Sequence, residues 1–121
     1  MIKIEKLPNF EDLRGSITDL IEDDINSVSK VTFTPGAVRG NHIHKQTTQW
    51  TYVLYGSLIA YTEENGEIIS DEFGEGDFFV SLPNSPHAMK ALEDAAILVF
   101  TKGPRAGSEY ESDTFRHELI E

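Results

Sequence analysis

The chain of 121 residues has room for one domain with a sizeable core, and not for two. Its 21 acidic residues outweigh 10 basic ones, a formal charge of −11, and this argues against nucleic acid or an anionic membrane as partner, because both require a positive field. There is no cysteine, so disulfides and thiolate chemistry are excluded and any metal must be held by nitrogen and oxygen.

In chain order, residues 2–7 alternate apolar and charged side chains, as a half-buried edge strand does, until Pro8-Asn9 breaks the pattern. Residues 10–16 read as a turn with Gly15 at its tip, and residues 17–21 as a short strand. Residues 28–34 form a third strand, ended by Pro35-Gly36. A hairpin follows, with the polar turn Lys45 to Thr48 between its arms. Trp50 to Tyr55 is apolar on both faces and is expected to be buried on both sides. Parity with Gln49 sends Thr51, Val53 and Tyr55 inward and Trp50, Tyr52 and Leu54 outward. Further strands are expected at 57–62, 67–70, 77–82, 87–92 and 95–101, with Asn65-Gly66 as a hairpin signal. Beyond Lys102 the chain turns polar, and 115–120 is a short terminal element.

Short strands at intervals of 8–12 residues, with no long helical period, predict an all-β domain with a core over about 28–101. Residues 1–21 and 102–121 are expected to pack on that core within a single domain, 1–121. No stretch reads as a signal peptide or a membrane span, so the expected location is the cytoplasm.

The chemistry concentrates between Gly36 and Gly56. His42 and His44 lie two apart, so on an extended strand both imidazoles project from one face. The next strand swings the Gln49 amide back toward them, and His87, after the turn Pro83-Asn84-Ser85-Pro86, supplies a third imidazole. Three imidazoles and an amide make a site for a divalent transition metal, Zn, Fe, Mn or Ni. The alternative is a metal-free pocket in which the imidazoles do acid–base work.

This spacing resembles the first motif of the cupin superfamily: Gly36, five residues, His42, one residue, His44, four residues, Gln49, six residues, Gly56. Gly76-Asp77 and the turn before His87 resemble the second motif. Three positions depart: Gln49 stands where cupins carry Glu, Asn84 where they carry a turn glycine, and Ala91 at the approximate place of a later Asn of the second motif. The resemblance implies a double-stranded β-helix, or jelly roll, and a homodimer. A dimer would also cover the outward row Trp50, Tyr52 and Leu54.

Asp12-Leu13-Arg14-Gly15 and Arg39-Gly40-Asn41-His42 narrow the resemblance to cupins acting on nucleotide-linked keto-sugars, the 3,5-epimerases and 3,4-ketoisomerases. That likeness implies Arg39 as an anion contact, His42 and His44 as proton carriers, and Tyr55 or Tyr61 as acid. Arg105, in the polar tail, is a further candidate for holding phosphate. The rival readings are a metal-dependent dioxygenase of the Fe(II) kind and a ligand-binding module without turnover. In each case the expected partner is a small molecule.

Overall fold

The computed structural model describes residues 1–104 and 112–121. The strands among these are β1 (Ile2–Lys3), β2 (Phe10–Asp12), β3 (Gly15–Ile17), β4 (Ser27–Phe33), β5 (Val38–Ile43), β6 (Thr48–Tyr55), β7 (Leu58–Glu64), β8 (Glu67–Phe73), β9 (Phe78–Ser81), β10 (His87–Ala91), β11 (Ala95–Lys102) and β12 (Phe115–Arg116).

Two five-stranded sheets carry the fold, in the orders β1-β9-β6-β11-β4 and β12-β5-β10-β7-β8, with β2 and β3 as a separate hairpin. Every pairing is antiparallel. From β4 to β7, and again from β8 to β11, successive strands alternate between the two sheets. This is the jelly roll that the first cupin-like motif implied.

The inward side chains of both sheets meet in one core cluster that includes Phe33, Val53, Leu58, Phe73, Phe79 and Ile97. Phe73 of β8 and Phe79 of β9 stack at 4.3 Å between ring centroids, so the cluster ties one sheet to the other. Burying each of these rings is worth roughly 1.5–3 kcal/mol. On β6 the alternation holds as far as Val53: Gln49, Thr51 and Val53 are buried, and Trp50, Tyr52 and Leu54 are half-buried on the outer face.

Three boundaries differ from expectation. β1 stops at Lys3, although the alternation runs on to Leu7. Ile2 and Lys3 pair with Val80 and Phe79, and Ile4 reaches Phe78, the first residue of β9, beyond which the ladder has no partner left. Residues 10–16, read as a turn, and 17–21, read as a strand, are instead a hairpin over 10–17, and no strand continues over 18–21. Its turn is closed by the Asp12 carboxylate, which accepts from the Arg14 amide and guanidinium. β8 runs on to Phe73 because that side chain reaches the core opposite Leu58, while residues 67–72 stay exposed.

Candidate metal and catalytic site

The site begins with a fault in a β-ladder. Along β5 and β10, His87 pairs with His42 but Ala88 pairs with Gly40, which leaves Asn41 as an extra residue. Gly40 and Asn41 both take positive φ, 91° and 58°. A Cβ at Gly40 would stand 2.9 Å from the His87 carbonyl oxygen and 3.1 Å from the Ala88 Cα, so only glycine lets the strands approach this closely. The bulge sets His42 directly across from His87.

Their Nε2 atoms lie 2.9 Å apart, a hydrogen bond in which one ring donates and the other accepts. His44, just past the end of β5, packs its ring 4.6 Å from that of His42 and 5.2 Å from that of His87. One ligand nitrogen from each of the three lies within 4.8 Å of the others. The 2.6 Å hydrogen bond from the Asn84 amide to the His44 carbonyl ties the turn before His87 to the other two histidines. Asn84 makes it at φ 67°, the left-handed conformation for which it stands in place of glycine.

His42 and His87 line a cavity of about 320 Å³ together with Gln49, which β6 brings in from the opposite sheet. Val31, Val38, Met89, Ile97 and Val99 supply its apolar part, and Arg39 also lines it. Burial holds His87 well below the ordinary histidine range, and the neighbouring rings of His42 and His44 push it the same way. Near pH 7 it is therefore a neutral imidazole, the form that binds metals.

The set fits a divalent ion. Zinc–nitrogen bonds of about 2.0–2.1 Å in a tetrahedron put neighbouring ligands about 3.3 Å apart; the His42–His87 pair at 2.9 Å would open slightly, and the wider spacings in the cluster, up to 4.8 Å, would close toward it. Because Gln49 brings no charge, a bound ion would keep its full +2. We expect Gln49→Glu to tighten Zn(II) binding by about tenfold or more. Calorimetry showing weaker binding in the variant would remove Gln49 from the ligand set.

Other expected residues are placed differently. Arg39 does line the cavity, but its Nε and Nη2 donate to the Thr32 carbonyl and its guanidinium lies over the Phe33 ring at 5.5 Å. Tyr55 is 46% exposed and is not part of the cavity wall. Ile97 pairs with Val53 and Ala96 with Tyr55, so Leu54 is an extra residue and the alternation counted from Gln49 fails at that point. Tyr61 falls on the outer face of β7, between the inward-facing Ala60 and Thr62. Arg105 lies outside the described residues. The Asp12–Arg14 pair serves its own hairpin.

Two residues missed in the sequence belong to the site. Asn41 and Asp113 are both buried, and both tie the C-terminal segment to the histidine-bearing strand. Asn41 was visible beside His42, whereas Asp113 is one acid in an acidic tail and nothing in the sequence sets it apart.

Residues 11–114 match the family model for cupins. Oxalate decarboxylase OxdC of Bacillus subtilis is 36% identical over 99 residues, which is 79% of this chain and 24% of that protein. The chain thus spans about a quarter of the length of this curated relative. Among solved structures, the sugar 3,4-ketoisomerase QdtA of Thermoanaerobacterium thermosaccharolyticum, in complex with TDP, superposes with a TM-score of 0.71 at 22% identity. That match covers 96% of this chain and 85% of the ketoisomerase. The dTDP-4-dehydrorhamnose 3,5-epimerase of Sulfolobus tokodaii gives 0.69 at 17% identity, over 87% of this chain and 70% of that one. At these identities the two structures establish a common fold.

Proposed function

This chain belongs to the cupin family, and we propose that it is an isomerase or epimerase of nucleotide-linked keto-sugars that works through the imidazoles of His42, His44 and His87. The observation that carries this reading is the cluster of three imidazoles, two of which, His42 and His87, line one cavity. At about 320 Å³ the cavity holds a sugar ring and leaves the nucleotide outside. Arg39 stands on the wall, held by the Thr32 carbonyl and the Phe33 ring, and a diphosphate would meet the rest of its guanidinium there. The solved structures of like fold, a ketoisomerase and a 3,5-epimerase, support the same substrate class.

Moving a carbonyl or inverting a neighbouring centre requires a proton to leave the carbon next to a ketone and return elsewhere. Among the described residues no Asp, Glu, Lys or Tyr lines the cavity, and this work falls to the imidazoles. In the metal-free site His42, only half-buried and in contact with His87 at 2.9 Å, is the ring placed to take the proton. A divalent ion, when held by His42, His44, His87 and Gln49, would supply polarisation of the ketone oxygen.

A second reading has its own support. The 36% identity with oxalate decarboxylase, together with the histidine cluster, favours a metal enzyme acting on a small oxygenated acid. One experiment separates the two. Protein prepared both with chelator and loaded with Zn, Mn or Fe is incubated in D₂O with a dTDP-4-keto-6-deoxyhexose, and separately with oxalate. Deuterium entering the sugar beside its ketone is the expected result. Release of CO₂ from oxalate without sugar exchange would replace the first reading by the second.

The outer row Trp50, Tyr52 and Leu54 remains half-buried in the single chain, and we propose that a second copy covers it. Light scattering is expected to give twice the 13.6 kDa of one chain. A mass near one chain's would remove the dimer.

A further inference from the structure

The C-terminal segment is bonded along the strand that carries two of the three histidines. Asn41 holds its far end. The Asn41 side-chain oxygen accepts from the Leu119 and Ile120 amides at 2.9 and 3.1 Å, its amide donates to the Ile120 carbonyl at 3.0 Å, and its own carbonyl accepts from His117. Phe115 and Arg116 pair with Ile43 and His42 as β12.

Asp113 closes the near end with two groups at once. Its carboxylate, 1% exposed, accepts from the Lys45 amide at 3.0 Å, the Gln46 amide at 2.9 Å and the Thr47 hydroxyl at 2.8 Å. Its backbone carbonyl lies 2.7 Å from His44 Nδ1. A carbonyl can only accept, so the proton of a neutral His44 sits on Nδ1 and the Nε2 lone pair is left for the site. The carboxylate pins the turn that follows His44, and the carbonyl of the same residue orients the ring.

We infer that Asp113 is a positioning residue: it sets the tautomer and ring orientation of His44, and residues 112–121 form an outer frame of the site. The inference rests on His44 being one of the working imidazoles. Bond partners of this kind keep a histidine's lone pair aimed at a metal or a substrate, and losing one typically costs 10–100-fold in metal affinity or activity.

The carbonyl cannot be substituted away, but the carboxylate that holds it can be unfastened. Thr47→Val removes one hydroxyl of nearly the same volume, and Asp113→Ala removes the whole grip. The first measurement is made on chelator-treated wild-type protein, where long-range ¹H–¹⁵N correlation reads the His44 tautomer without any metal. The proposal expects the proton on Nδ1. A wild-type His44 protonated on Nε2 overturns it, whether or not any variant folds. In Thr47→Val the Nε2-protonated form is expected to appear, and Zn(II) affinity to fall by about tenfold. A variant that melts lower but keeps both the tautomer and the affinity would show Asp113 to be merely structural and overturn the proposal. Failure of the wild type to turn over keto-sugars would leave the tautomer result standing and would count against the function proposed above alone.

Discussion

Replacing His87 by alanine is expected to weaken Zn(II) binding by more than about 100-fold, because even a partner one bond removed from the metal costs about 10–100-fold. His87 is buried, and it is the member of the cluster supplied by β10 rather than by the His42–His44 stretch. Its removal leaves two imidazoles and one neutral amide, too few strong donors for a divalent ion with no carboxylate in the set. Turnover should fall with it, since His42 would lose the ring that shares its proton at 2.9 Å. Titration calorimetry on chelator-treated protein checks the binding. His117→Ala is the control, because His117 lies near Glu63 at 3.7 Å and outside the cluster. Equal Zn(II) affinity in wild type and His87→Ala would show that the three rings do not act as one ligand set.

Gly56→Ala is expected to cost about 3 kcal/mol or more and to lower the melting temperature by roughly 10 °C. Two causes add. At φ +78° any side chain strains the backbone, by about 1–2 kcal/mol. A Cβ there would also stand 2.2 Å from the Asp94 carbonyl oxygen and 2.7 Å from the Ala95 Cα. Both neighbours are backbone, so neither can step aside as a flexible side chain would. Gly66→Ala separates the causes, because Gly66 has φ +80° and nothing within 4 Å of its would-be Cβ. Denaturant unfolding should find Gly66→Ala destabilised by about 1–2 kcal/mol only. If the two variants lose the same stability, the close approach at Gly56 contributes nothing.

Gly56 closes the first motif, so its place in the chain was legible, but the reason for it was not. The sequence shows a glycine after an apolar strand. Only the packed fold brings the Asp94–Ala95 turn within contact of it.

The same division runs through the protein. Alternation and turn residues by themselves determined the all-β class, most strand positions and the Asn65-Gly66 hairpin, because each depends on neighbours a few residues apart. They also determined that His42 and His44 share a face, since that follows from the period of a strand. The cupin-like spacing extended this to Gln49 and His87, which the fold brings to the same cavity.

What tertiary structure decided lies where the simple period fails or where distant segments meet. An extra residue at Leu54 carries Tyr55 away from the cavity, and an extra residue at Asn41 aligns His42 with His87. A bulge depends on the partner strand, so counting along one strand cannot reveal it. Arg39 reads as a free cation until the fold lays it against the Thr32 carbonyl and the Phe33 ring. Asp113 lies 69 positions after His44, and its role depends on a backbone carbonyl, a group every residue has. Composition and spacing describe side chains along one dimension. The tautomer of His44 is set by a backbone atom that arrives from the other end of the chain.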